Sequence, residues 1–342
     1  MYFAIIDCGT TNSRVYLVDE KREIIAKASE KVGVVNVTIE GSNRILKEKL
    51  SEVFLEALKK ANIKLTDVSF AITSGAITSE IGLLEIPHLL APVSIDELAR
   101  NVKKVRDKNV FPLDVPMVFV RGVKTVGNID TSNLMNAGRV DFMRGEETQV
   151  AGFLSTHECN LPLTILFLTS HTMCVSVNSS GEIAGSVTTL SGQVYEAIVE
   201  RTVIGKSIRK TDDFDNFTYF DTKIIEYAHY WVTRSGFLRG LLMPRLADVL
   251  LRTKWYERKL FLEATIAVED MRTIAQLDRF GFSQDRDFVI MGKNEKRCRI
   301  YKYLLQKIRP EGLLRIISNT EDIDMLTING AIDIARRCKL FE

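Results

Sequence analysis

The densest chemistry in this chain sits in Asp7-Cys8-Gly9-Thr10-Thr11-Asn12-Ser13-Arg14. A short apolar run delivers a carboxylate to the head of a tight polar turn, and a guanidinium closes it. Gly9 lets the backbone approach an anion closely. Thr10 and Thr11 offer hydroxyls, and successive backbone N–H groups can form a concave anion site. Asp7 can organise Mg²⁺, through water, because that ion dehydrates reluctantly. The same residues also suit a plain polar hairpin turn with an Asx cap. Gly-x-x-x-x-Gly-Lys and Gly-x-Gly-x-x-Gly are both missing, so the segment is neither a P-loop nor a dinucleotide fingerprint.

Met143-Arg144-Gly145-Glu146-Glu147-Thr148-Gln149 is the second cluster. Arg144 can pair bidentately with a carboxylate or a transferring phosphate. Glu146 or Glu147 can accept the proton of an attacking hydroxyl, and spacing does not separate the two. A helix dipole also favours acids in its first turn, so a capped surface helix accounts for them without any function. Ser191-Gly192-Gln193 reads as a strand-to-helix corner and, on local grounds, as an ordinary cap. Gly292-Lys293-Asn294 follows an apolar strand and precedes a helix, which suits a ligand at the carboxyl end of a strand as well as any αβ unit. The basic run over 293–299 reads as a solvated helix face. His171 is the only histidine in a suggestive loop.

The elements that must position these groups follow from periodicity. Residues 2–7, 14–19 and 23–28 read as a strand meander, and 68–73 as a further strand. Residues 43–61 carry a helical period, with Ile45, Leu46, Leu50, Val53, Phe54 and Ala57 on one face. Ser94 and Glu97 have capping-box spacing at the start of a helix. Residues 74–79 and 122–140 read as loops. A strand over 162–168, a small polar loop and a second strand then repeat the opening layout about half a chain later. Duplication on that scale points to two similar domains rather than a solenoid. The remainder reads as mostly helical, with strands near 288–291 and 311–318.

Composition sets limits on function. Forty-six Lys+Arg against 44 Asp+Glu leave a net charge of +2, which gives no support for a general nucleic-acid binder. No apolar run is long enough for a membrane span. The opening residues reach an acid at Asp7 without a basic segment, unlike a secretory signal. Five dispersed cysteines lack any Cys-x-x-Cys pair, so neither a zinc site nor a disulfide framework is indicated. The expectation is a reduced, cytoplasmic protein.

Assembled, these blocks resemble the 2-keto-3-deoxygalactonate kinases (2-dehydro-3-deoxygalactonokinases) of the actin and hexokinase superfamily. Residues 143–149 coincide with that family's own Met-Arg-Gly-Glu-Glu-Thr-Gln segment. Residues 6–14 fit its Ile-Asp-Trp-Gly-(Ser/Thr)-Thr-Asn-x-Arg opening. Ser74-Gly75-Ala76-Ile77-Thr78-Ser79 looks like its Gly-Met-(Ile/Val)-Gly-Ser loop, and Ser191-Gly192-Gln193 stands where it has Thr-Gly-Glu. The resemblance implies an α/β, two-domain actin-like ATPase fold of the ribonuclease H-like type, with mixed sheets flanked by helices and a cleft between domains at 1–158 and 159–342. It further implies a kinase that uses ATP and Mg²⁺ to phosphorylate the 6-hydroxyl of a keto-deoxy sugar acid, binds no nucleic acid or membrane, and has a homodimer among its options.

By the same resemblance, Asp7 organises Mg²⁺, and Gly9, Thr10, Thr11 and Asn12 line the phosphates. Ser170, His171 and Thr172 form a second phosphate loop, and Gly292 lies near the adenine. Arg14, Ser74, Gly75, Thr78 and Gln193 meet the sugar acid. Arg144 clamps acid or phosphate, and Glu146, with Glu147 beside it, is the first choice of base. The second loop departs from the family's Gly-Thr-His-x-Lys, reading Ser170-His171-Thr172-Met173-Cys174, without the glycine or the lysine. That departure keeps two other readings open: a non-catalytic nucleotide or sugar-acid binder, and a phosphotransferase of the same fold with another substrate.

Overall fold

The computed structural model describes residues 2–9, 11–126, 129–214, 218–277, 287–308 and 312–341, so Thr10 lies outside the described residues. Two compact units are present. The first holds Met1–Cys159, Gly181–Gly185 and Asp324–Glu342, and the second Asn160–Ser180 and Ser186–Ile323. The last helix, which the sequence reading assigned to 159–342, therefore clusters with the first unit.

The opening run of the chain is apolar without alternation because it forms a central strand, covered on both faces. This strand, β1 (Tyr2–Cys8), pairs antiparallel with β2 (Ser13–Val18) and parallel with β4 (Val68–Gly75). β3 (Ile24–Glu30) flanks β2, and with β6 (Lys103–Val105) and β7 (Met117–Phe119) the sheet order is β3-β2-β1-β4-β7-β6. α1 (Val34–Glu40) precedes α2 (Arg44–Ala61), which lays Leu46, Leu50, Val53 and Phe54 into a core with Ala4, Ile6, Val15 and Leu17. α3 (Ile95–Arg100) has the expected box, Ser94 Oγ accepting from the Glu97 amide at 3.2 Å.

Two stretches read as loops are structured. Ser74 and Gly75 extend β4, and 76–78 form a 3-10 turn. Residues 122–140 contain β8 (Val123–Val126), a 3-10 stretch (Leu134–Arg139) and the start of β9 (Val140–Met143). With β5 (Leu89–Leu90) they make a separate three-stranded sheet. Both strands have only four residues, and the Gly- and Asn-rich segment between them hid the pairing.

α4 (Glu146–Thr156) and α11 (Thr320–Arg337) cross in the first unit at backbone contact. A Cβ on Gly152 would lie 1.9 Å from the Leu326 carbonyl oxygen, and one on Gly330 would lie 1.8 Å from that of Thr148. No side chain fits there, so the two glycines let α4 and α11 meet at backbone distance.

In the second unit β10 (Leu163–Leu168) is buried along its whole length. It pairs antiparallel with β11 (Thr172–Val177) and parallel with β13 (Asp287–Met291), which pairs with β14 (Leu314–Ile317). With β12 (Ile183–Thr189) the order is β12-β11-β10-β13-β14, the same as β3-β2-β1-β4-β7 in the first unit. The duplication read from the sequence is thus a repeated sheet topology, that of the actin-like, ribonuclease H-like fold. The helices of this unit are α5 (Ser191–Arg201), α6 (Ile204–Ser207), α7 (Thr222–Ser235), α8 (Phe237–Leu250), α9 (Trp255–Ile274) and α10 (Glu295–Ile308).

Candidate functional site

In the first unit, strand register gathers the candidate residues. Asp7 is the cross-strand partner of Arg14 on β2 and of Ser74 on β4, and Cys8 is the partner of Gly75. Arg14 Nη1 donates to Asp7 Oδ2 at 2.8 Å, with side chains 26% and 30% exposed. The turn between β1 and β2 closes through the Gly9 amide on the Asn12 carbonyl at 3.0 Å, and Asn12 Nδ2 donates to Thr11 Oγ1 at 2.9 Å. Cys8 points into the core, where burial pushes its thiol up to about 12. It acts there as a packing residue.

Three backbones converge beside this turn. Gly75 has φ +92°, and a Cβ there would lie 2.9 Å from the Cys8 carbonyl oxygen. Gly145 has φ +110°, and a Cβ there would lie 3.3 Å from Gly75 Cα. Both conformations favour glycine, and both positions leave no room for a side chain. The approach brings the start of α4 against the end of β4.

Arg144 lies at that junction. Its Nη1 donates to Thr78 Oγ1 at 2.6 Å, and its Nη2 to the Ile86 carbonyl at 2.9 Å and toward His88 Nδ1 at 3.5 Å. All three partners are neutral. Burial lowers the guanidinium pKa, and the charges of Glu147, Glu80 and Glu85 act the other way. A half-buried cation held by neutral acceptors is a ready partner for an incoming anion.

The structure separates the two glutamates. Glu147 is fully buried, its Oε2 accepting from the Gly145 amide at 2.7 Å and its Oε1 from Thr148 Oγ1 at 3.3 Å. Burial and the neighbouring Glu146 push it up to about 8. Its carboxyl braces the glycine turn. Glu146 keeps a partial opening to solvent. Burial pushes it up to about 7; the amides of Glu146 and Arg144 pull it down, while Asp141 and Asp7 raise it. A carboxyl that burial brings to titrate near neutrality suits proton transfer.

In the second unit, a three-residue turn of Thr169, Ser170 and His171 joins β10 to β11, closed by the Thr169 amide on the His171 carbonyl at 2.9 Å. Ser170 Oγ lies 3.0 Å from His171 Nδ1. Gly192 presses on this turn: a Cβ would lie 2.4 Å from the Thr169 carbonyl oxygen and 2.7 Å from that of Ser170. The Gln193 amide donates to the Ser170 carbonyl at 2.9 Å, and its side chain is exposed. A Cβ on Gly292 would lie 3.0 Å from the Leu168 carbonyl oxygen. Ser170, His171, Thr172, Gln193 and Gly292 thus share one edge of the second sheet.

Sequence reasoning missed Arg297, Tyr301 and Asp270. Arg297 leaves the face read as solvated: Nη1 donates to the Thr169 carbonyl at 2.6 Å and Nη2 to Thr172 Oγ1 at 2.8 Å. Thr172 Oγ1 also meets the Tyr301 hydroxyl at 3.2 Å, and that hydroxyl donates to Asp270. Asp270, 3% exposed, further accepts from Ser191 Oγ at 2.5 Å and Thr189 Oγ1 at 2.8 Å. One buried carboxylate therefore ties α9, α5, the end of β12 and α10 to the turn. The spacing of Arg297 and Tyr301, one helical turn apart, was the available signal.

Among the described residues no group of three or more His, Cys, Asp or Glu side chains is placed to hold a metal ion. Mg²⁺ in phosphoryl transfer needs fewer protein ligands, because it rides on substrate phosphates and water with one or two carboxylates. Asp7, which shares its charge with Arg14 and lies near Glu146, fits that outer-sphere role.

A model of the 2-keto-3-deoxy-galactonokinase family matches residues 7–309 of this chain. A curated relative from Rhizobium meliloti (strain 1021), named a probable 2-dehydro-3-deoxygalactonokinase, is 21% identical over 220 residues, 62% of this chain. The match spans 61% of that relative's length. The crystal structure of a Sinorhizobium meliloti protein, provisionally named 2-dehydro-3-deoxygalactonokinase, superposes with a TM-score of 0.73 at 16% identity. It covers 98% of this chain and 96% of that one, a likeness of fold.

Proposed function

This chain belongs to the 2-keto-3-deoxy-galactonokinase family, and we propose that it is a carbohydrate kinase moving the γ-phosphate of ATP to the 6-hydroxyl of 2-keto-3-deoxygalactonate or a similar keto-deoxy sugar acid. One observation carries this reading. The start of α4 presents Glu146, a half-buried residue whose carboxyl burial pushes up to about 7, two residues from an arginine whose hydrogen-bond partners are all neutral. A base for a hydroxyl and a clamp for an anion are what the reaction asks of the protein.

In this mechanism Glu146 takes the proton of the attacking hydroxyl. The freed oxygen bonds to the γ-phosphorus, and the bond to the β-phosphate oxygen breaks to release ADP. Arg144 holds the acid or the transferring group. Ser74, Gly75 and Thr78 border the sugar acid, with Arg14 kept in place by Asp7. The Gly9–Asn12 turn and the turn of Ser170, His171 and Thr172 take phosphate oxygens, and Gly292 leaves room beside the base of the nucleotide. Asp7 would hold Mg²⁺ through water, and the ion would neutralise phosphate charge.

The second reading, a binder without turnover, draws on the missing lysine of the 170–174 segment. Arg297 weighs against it, because it supplies a cation to the same turn. An ADP-release assay with Mg²⁺·ATP and a panel including 2-keto-3-deoxygalactonate and 2-keto-3-deoxygluconate tests the proposal. Turnover on one of them is expected. Calorimetric binding without turnover favours the second reading.

A further inference from the structure

The three-stranded sheet of the first unit carries a cavity of about 480 Å³ that the sequence reading left in a loop. β8 and β9 pair Lys124 with Phe142 and Val126 with Val140, so these four side chains share one face. All four line the cavity, with His88 and Asn133 at its sides.

The lining has an unusual balance. Lys124 has no carboxylate partner among the described residues. The single carboxylate on the lining, Asp141, accepts from the Phe142 amide at 2.8 Å. Asn133 Oδ1 accepts from the Met135 amide at 3.0 Å, which leaves its NH₂ group to donate. His88 stands between Lys124 and Arg144, with its ring 5.4 Å from that of Phe142. Arg144 can only donate, so His88 Nδ1 accepts and Nε2 carries the proton. That buried N–H finds no acceptor among the described residues. Burial and the two cations hold His88 down at about 4, so it stays neutral.

The cavity therefore sets the Lys124 charge beside an apolar wall on the same sheet face, with the donors of His88 and Asn133 and the Asp141 carboxylate around it. Phe142 is 62% exposed and Val140 40%, surfaces that a ligand would cover. A fully hydroxylated acid would leave its hydroxyls against that wall unpaired. A deoxy acid presents a methylene there instead.

Resting on the sugar-acid kinase reading, we propose that this cavity takes the carboxylate end of a 3-deoxy-2-keto acid, with Lys124 reading the charge and the wall of Val126, Val140 and Phe142 taking the methylene. Lys124 is then a specificity determinant set apart from the Glu146 chemistry.

The test compares wild type, Lys124→Met and Lys124→Arg with 2-keto-3-deoxygalactonate as the probe. Lys124 is exposed, so the variants keep their melting temperature. Lys124→Met should raise KM for the acid about 10- to 100-fold, the loss of one charge-assisted hydrogen bond. Its kcat and its KM for ATP should stay near wild type, and Lys124→Arg should recover most of the loss. The wild type should prefer the 3-deoxy acid over galactonate, and Phe142→Ser should narrow that preference. An unchanged KM in Lys124→Met overturns the assignment while leaving the kinase reading in place. A wild type that neither binds nor phosphorylates any of these acids overturns both.

Discussion

Replacing Glu146 by Gln separates a catalytic base from a structural acid, because the two roles predict different pairings of rate and stability. Burial holds the Glu146 carboxyl at about 7 instead of 4.5. Between those values the folded protein keeps a proton that the unfolded chain has released. Stability therefore falls as pH rises through that window. Each unit of displacement is worth about 1.4 kcal/mol, so the charged form costs the fold up to about 3 kcal/mol above neutrality. Relaxation of the surroundings and water penetration reduce this to about 1–2 kcal/mol. Gln cannot ionise. Glu146→Gln should thus be more stable than wild type by that amount at pH 8 and similar to it at pH 5, as read by urea unfolding. Its kcat should fall about 100-fold or more, the usual contribution of a positioned base. Wild-type kcat should rise with pH through about 7, and the residual rate of the variant should be flat. A variant with unchanged kcat, or one less stable than wild type at pH 8, refutes the reasoning.

Three further predictions follow from the same geometry. Asp7→Asn should raise the Mg²⁺ concentration needed for half-maximal turnover several-fold, and an unaltered Mg²⁺ dependence removes Asp7 from the metal's surroundings. Arg297→Ala should weaken ATP about 10-fold while leaving adenosine affinity unchanged, and Arg297→Lys should recover part of it; equal losses for both ligands would make Arg297 a brace for the turn only. Gly152→Ala places a methyl 1.9 Å from the Leu326 carbonyl oxygen, so it should cost about 3 kcal/mol or more in denaturant unfolding. An unmoved unfolding midpoint would mean that α4 and α11 can part without penalty.

The sheets were legible where burial acts on both faces. β1 and β10 are apolar runs broken only by Asp7 and Thr164, and the turns after them are polar and short. The repeat between the two sheets was legible for the same reason, since strand, turn, strand and turn recur in order. β8 and β9 were not, because four-residue strands give too few positions for alternation to stand out from a Gly- and Asn-rich background. Of the candidate site, the acid and arginine of 143–149 were visible as types, but their division of labour was not. Glu146 and Glu147 differ only in which one the Gly145 amide captures, and that depends on the φ of +110° at Gly145. His88 and Arg297 escaped notice because each meets partners distant in sequence.

The two sheets repeat one topology, yet charge reaches their first turns by different routes. In the first unit the hairpin carries it, since Asp7 and Arg14 are cross-strand partners. In the second the partners at the same place, one pair in from the turn, are Phe167 and Met173, both neutral, and the cation comes from α10. The position where the resembling family has its lysine falls on Cys174, which is 1% exposed and paired with Leu166 inside the sheet. An ammonium there would be desolvated among apolar side chains and would lose its proton or push the strands apart. Arg297 avoids this, because its guanidinium lies over the Tyr301 ring and is fixed by two bonds to the turn. The missing lysine and the present arginine are then one arrangement rather than a loss. Cys174→Lys should accordingly destabilise the chain and fail to rescue Arg297→Ala. A stable double variant with wild-type ATP affinity would show that the strand can carry the charge, and would remove the reason for placing it on α10.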